Sequence, residues 1–210
     1  MSFSAFARRT VAPAALVIVL LLAFAAGCLA ASFSADLAIK NNKMSQTGKT
    51  YVDGKKSRIE MSAGPMQSIL IVRGDKGVTW MLNPAQKQFM ESRAGSNEWN
   101  DPNWQKNLER QATKKHLGKA KIAGYVCDKY LYTFKNKEMG TSTICVAQKL
   151  GYPIRVESKS KYGGMTMELK NIKEGRQAAS LFEIPKGYKK TDMPGLPPMG
   201  GKPKPPAKPN

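Results

Sequence analysis

Lys49-Thr-Tyr-Val-Asp-Gly-Lys-Lys-Ser-Arg-Ile-Glu-Met61 decides the fold. Strand-forming residues stand on both sides of Asp53-Gly54. An Asp-Gly pair so flanked predicts a two-residue hairpin turn, because glycine takes up the positive φ that such a turn demands. Upstream, Phe33, Ala35, Leu37 and Ile39 alternate with Ser34, Asp36, Ala38 and Lys40. That period of two marks a half-buried strand. Downstream, residues 68–73 and 78–82 flank Gly74-Asp-Lys-Gly77 as a second hairpin, and Asn83-Pro84 turns the chain into residues 88–91. Strands at short intervals joined by turn residues predict an antiparallel meander rather than alternating strands and helices.

One helix is expected to interrupt it. Asp101 can cap it and Pro102 stands at its first position, where a missing amide proton costs nothing. Trp104, Leu108 and Ala112 then recur every four residues as one apolar stripe, and Gly118 ends the segment. Trp99 and Trp104 are read as packing this helix onto the sheet. The strands resume at Lys119, with 121–134 and 141–147 flanking a loop at 135–140. Folding the hairpin about Asn136 sets Cys127 opposite Cys145, and a centre one residue away makes them diagonal neighbours. Either register brings the pair near bridging range, so a structural disulfide is expected. Residues 152–158 and 164–172 supply two more strands, and Leu181-Phe-Glu-Ile-Pro-Lys-Gly-Tyr188 closes the body.

The ends of the 210-residue chain differ from this body. Arg8 and Arg9 precede an apolar stretch and then small residues, the layout of a secretory signal over residues 1–31. Ala25-Ala-Gly-Cys28 resembles a lipobox, which would leave a lipid on Cys28 as an anchor. A cut after Ala30 or Ala31 is the alternative. Beyond residue 190, prolines alternate with Gly and Lys, and seven of the thirteen prolines of the chain lie there. Residues 191–210 therefore read as an extended solvated tail, and residues 32–190 as one domain.

The motifs in order carry a resemblance. Phe33-Ser-Ala-Asp-Leu37, Gly48-Lys-Thr-Tyr-Val52, Arg58-Ile-Glu-Met61, Trp80-Met-Leu-Asn-Pro84, Gly124-Tyr-x-Cys-x-Lys-Tyr130 and Leu181–Tyr188 resemble an exported bacterial family of unassigned function. That family is itself similar to the periplasmic lipoprotein-carrier and lipoprotein-receptor half-barrels. The resemblance implies a mostly β fold with one or two helices: a curved antiparallel meander forming a half-barrel partly closed by a helix, with an apolar concave face. The alternation of the strands nominates Ile59, Met61, Ile69, Ile71, Val78, Trp80, Leu82, Phe89, Met165, Met167 and Leu169 for that face. Methionine suits it, being flexible and polarizable.

The function expected is an exported, periplasmic, non-enzymatic envelope protein that binds a lipid or other apolar group. A structural protein touching anionic surfaces through its basic tail is the alternative. Lys+Arg number 34 against 15 Asp+Glu, a formal charge of +19, and the lysines are dispersed over strand edges and turns. Such a field favours anionic membrane surfaces, while no basic-aromatic motif points to nucleic acid. A single histidine, His116, excludes two-histidine metal sites and most relay chemistry. Asp36, Asp53, Glu60, Glu91 and Asp101 show no spacing that pairs them. No catalytic residue, metal or cofactor is implied, and nothing in the sequence fixes an oligomeric state.

Overall fold

The computed structural model describes residues 31–42, 44–63, 66–93 and 103–191. The expected signal up to residue 30, with Cys28, and Trp99, Asp101, Pro102 and the tail beyond residue 191 lie outside them. The body is a single twelve-stranded sheet, antiparallel except at one edge. One run holds β1 (Ser32–Asn41), β2 (Ser45–Asp53), β3 (Lys56–Ala63), β4 (Met66–Arg73), β5 (Val78–Asn83) and β6 (Gln88–Arg93). Helix α1 (Trp104–Gln111) follows. The second run holds β7 (Ala112–Ile122), β8 (Tyr125–Phe134), β9 (Thr141–Ala147), β10 (Tyr152–Ser160) and β11 (Gly163–Glu174). β1 pairs with β11 and joins the two runs, and β12 (Lys189–Lys190) adds a short parallel strand beside β6. The result is the expected half-barrel, a curved meander that does not close.

Register fixes which side chains share a face, since residues directly opposite one another point the same way. Thr50, Ile59, Leu70, Met81 and Met90 form one rung across β2–β6. Leu37, Gly48, Met61 and Ser68 form the next. Through β11 the same face continues to Leu169 and to Met167, Val156 and Ile144. Gly48 is required here: a Cβ at that position would run into the Glu60 carbonyl oxygen of the adjoining strand.

Local differences from the sequence reading have physical causes. The first hairpin turns on Gly54-Lys55 rather than Asp53-Gly54, because Asp53 pairs with Lys56. Residues 112–118 are strand, not helix. A spacing of four suits both a helix and a strand, and pairing of Ala112, Lys114 and His116 with Phe134, Tyr132 and Tyr130 takes the segment into the sheet. Gly118 consequently sits at a bulge with φ of 98° instead of ending a helix. The segment 121–134 is two strands split by a turn at Ala123-Gly124, both at positive φ. Trp104 does pack the helix onto the sheet, in a cluster with Tyr132, Ile144 and Val156.

Cys127 and Cys145 are both buried free thiols, and the expected bond between them is not formed. Cys127 stands opposite Ala147 and Cys145 opposite Lys129, so the hairpin is centred one residue beyond Asn136 and the thiols are diagonal neighbours. That is the wider of the two registers the spacing allowed. Burial pushes both thiols above the ordinary cysteine pKa.

Candidate functional site

A cavity of about 440 Å³ opens on the face that carries Ile59 and Met61. β1 supplies Leu37 and Ile39, β2 to β5 supply Thr50, Ile59, Met61, Ser68, Leu70 and Met81, and β10 and β11 supply Val156, Met165, Met167 and Leu169. β5 and β10 stand six places apart in the sheet, which would be roughly 29 Å on a flat sheet at about 4.8 Å per strand. Residues of both line one small hollow only because the sheet curls. Helix α1 lies over the neighbouring part of the same face, where Trp104 and Leu108 cover Ile144 and Val156. The helix thus closes one end of the concavity, and among the described residues nothing covers the methionine-rich part.

A second cavity, about 600 Å³, adjoins the first and shares Met61, Ser68 and Met81 with it. Its rim is different in character, with Gln46, Gln67, Asn83, Gln86 and Gln88 around Met90. Among the described residues neither lining contains Asp, Glu, Lys, Arg or His. A hollow of about 490 Å³ on the other side of β1 and β2 has the reverse character, with Asp36, Lys49 and Lys173 in its wall.

The nominated cavity residues divide between these faces. Ile59, Met61, Ile69, Met165, Met167 and Leu169 line the apolar cavity. Leu82 and Phe89 edge the second cavity and also join the cluster on the far side. Ile71 and Trp80, with Val78, belong to that far side, in a cluster closed by Phe182. The reason is register: Ile59 stands opposite Leu70, which sends Ile71 the other way, while Ile69 packs against the far-side cluster and also edges the apolar cavity. Leu37, Ile39, Leu70, Met81 and Val156 were not nominated. Alternation made Leu37 and Ile39 visible as apolar, whereas only strand pairing shows that Leu70 and Met81 face them.

The far side is held by the C-terminal segment. Phe182 is fully buried there, under a 3-10 turn at Ala179–Phe182. Arg58 Nη1 donates to the Leu181 carbonyl and Arg73 Nη1 to the Phe182 carbonyl, both at 3.1 Å. Arg73 also pairs with Asp75 and Glu183. Those hydrogen bonds hold both carboxyls below the ordinary carboxylate pKa. Glu91, which accepts from Lys190 and from the Trp80 indole at 2.7 and 2.9 Å, is lowered in the same way. Carboxylates held ionised by structural cations are not poised as proton donors. His116 is half exposed on edge strand β7, its ring 5.2 Å from that of Tyr130 and its Nε2 3.6 Å from Asp128. Among the described residues no three His, Cys, Asp or Glu gather as a metal site, and no helix is long and apolar enough to cross a membrane.

An open half-barrel with an uncharged apolar hollow defines the class of protein. The chain belongs to the family described as Domain of unknown function (DUF4412), whose model matches residues 34–151 and 147–188. No curated protein matches the sequence. Among solved structures, an uncharacterized conserved protein from Thermus thermophilus is similar at 11% identity, covering 83% of this chain and 98% of that one with a TM-score of 0.57. The MucA/MucB complex of Pseudomonas aeruginosa contains a chain similar at 11% identity, covering 74% of this chain and a little over half, 56%, of that one, with a TM-score of 0.53. A LolA-superfamily protein of Nitrosomonas europaea matches at lower likeness, 13% identity and a TM-score of 0.35 over 73% of this chain and 90% of that one. At these identities the likeness to the first two concerns the fold alone.

Proposed function

We propose that this protein is an exported, non-enzymatic binder of an amphiphile, whose apolar chain lies in the hollow lined by Ile59, Met61, Met81, Met165 and Met167. One observation carries the reading. Among the described residues none with a charge lines the hollow and none covers it, although they cover the apolar surface on either side of it. Small-molecule sites are concave, mostly apolar and pre-formed, and methionines adapt their shape to irregular apolar partners. At about 25 cal/mol per Å² of apolar surface removed from water, an acyl chain seated there gains several kcal/mol.

The apolar segment within residues 1–31 supports export of this binder, either released after Ala30 or Ala31 or held by a lipid on Cys28. A single experiment tests both parts. The protein is recovered from the envelope fraction without detergent, and its mass is measured in the native and then in the unfolded state. The expected native spectrum carries excess mass that organic solvent removes. The expected chain mass corresponds to loss of the first thirty or thirty-one residues, or to an acylated N-terminal Cys28. A native spectrum with no excess mass, together with no gain in thermal stability on adding lipids, rejects the binder. A chain mass that retains residues 1–31 rejects the export signal.

A further inference from the structure

We infer that the amphiphile carries an uncharged head group rich in hydroxyl or amide groups, an acylglycerol or acylated sugar rather than a fatty acid or an anionic phospholipid. This rests on the binder reading and names the ligand class for that site. The two cavities adjoin and share Met61, Ser68 and Met81 as wall residues, so the polar end of a chain in the apolar hollow falls beside the hollow edged by Gln46, Gln67, Asn83, Gln86 and Gln88.

Among the described residues no Lys or Arg enters either lining, in a chain that carries 34 of them. Lys87 stands between two lining glutamines and Lys190 beside the lining Thr191, but neither belongs to the wall, and Lys190 is bonded to Glu91 at 2.7 Å. A carboxylate or phosphate drawn from water into this hollow would therefore lose hydration without meeting a cation, which is unfavourable by several kcal/mol. Amides serve a different partner. Each offers two N–H donors and a carbonyl acceptor, the complement of hydroxyls and ester or amide groups. Asn83 and Gln86 are already oriented: the Asn83 amide donates to Gln86 Oε1 at 3.1 Å, and the Gln86 backbone amide donates to Asn83 Oδ1 at 3.2 Å. The long-range field of the chain attracts anions, so the lining selects against the charge that the surface draws in.

The test uses the full chain loaded with a neutral naphthylamine dye in buffered saline, where charges beyond about 8 Å are screened. Monooleoylglycerol, oleate and oleoyl lysophosphatidylglycerol, which share one acyl chain, then compete for the site. Monooleoylglycerol is expected to displace the dye at concentrations about tenfold lower than either anion. In Gln67→Lys, the anions are expected to gain about tenfold while monooleoylglycerol stays within about twofold. Anions that compete equally well or better in the wild-type protein overturn the inference and leave the binder reading standing. The same holds for a Gln67→Lys variant that leaves the order unchanged, because the head group then lies elsewhere. Dye that fails to bind, or that none of the three displaces, overturns both.

Discussion

On one side of β3, β4 and β5, Ile71, Trp80 and Leu82 lie beneath Phe182 and the C-terminal segment; on the other, Ile59, Met61, Leu70 and Met81 line an open hollow. The strands are the same and both faces are apolar. They differ in what covers them. The chain extends past its last long strand, lays residues 181–188 over the first face, fastens them there with Arg58 and Arg73, and ends the crossing as β12 beside β6. A fold able to seal one apolar face has the means to seal the other, and over Ile144 and Val156 helix α1 does so. Among the described residues the uncovered stretch is thus a local feature, since apolar area left in water is a cost that folding otherwise removes.

The comparison breaks most directly at Phe182. Its side chain is wholly buried, and Phe182→Ala leaves a cavity whose walls are fixed by Ile71, Trp80 and Leu82. A loss of about 3–5 kcal/mol is expected from a denaturant titration, by the transfer and cavity terms together. Dye binding in the opposite hollow should persist wherever the variant remains folded. If Phe182→Ala costs less than about 1 kcal/mol, the covered face is not a core, and the contrast disappears.

Arg73 sharpens the same contrast through pH. Its guanidinium is largely buried, and Asp75 and Glu183 are both lowered by their hydrogen bonds to it. Lowered carboxyls bind fewer protons folded than unfolded, so their stabilisation is complete above the unfolded carboxyl pKa and is lost as pH falls through the folded one. Both carboxylates are more than a third exposed, at 39% and 52% side-chain exposure, and water screens the pairs. Arg73→Met is therefore expected to cost about 1–2 kcal/mol at pH 7. The gap between variant and wild type should narrow as pH is taken from 7 toward 3. Equal gaps at both ends would mean that packing of the Arg73 stem, rather than its charge, holds the C-terminal segment.

Much of this architecture is legible in the sequence itself, and the reason is local. Gly74-Asp-Lys-Gly77 and Asn83-Pro84 punctuate strands whose ends the structure places within a residue of the turn. The division between the two faces is not legible. Ile69-Leu70-Ile71-Val72 is apolar at every position, so period two says that the faces alternate without saying which one looks inward. That choice belongs to register, set by Ile59 against Leu70 and Leu70 against Met81, which are contacts between strands. Residues 112–118 mislead for a related reason. A stripe at intervals of four satisfies both periods, and only β8 alongside could decide between them. The pairing of β1 with β11, which makes one sheet out of two meanders and brings Met165 and Met167 to Met61, joins segments more than a hundred residues apart and leaves no local trace.

Met81 gives the smallest expected effect on stability and the clearest reading of the open face. It is 47% exposed and stands on the rung of Ile59 and Leu70, in the wall shared by both cavities. Truncating a half-exposed side chain forfeits little burial, so Met81→Ala should cost less than about 1 kcal/mol in the same titration that registers Phe182→Ala. Dye displacement by monooleoylglycerol should nevertheless weaken about tenfold, because the thioether side chain packs against the ligand rather than into the core. The two measurements must move apart for the open face to be a binding surface. A variant in which stability falls and binding holds would assign Met81 to the core, and the hollow would then be a flaw in packing rather than a site.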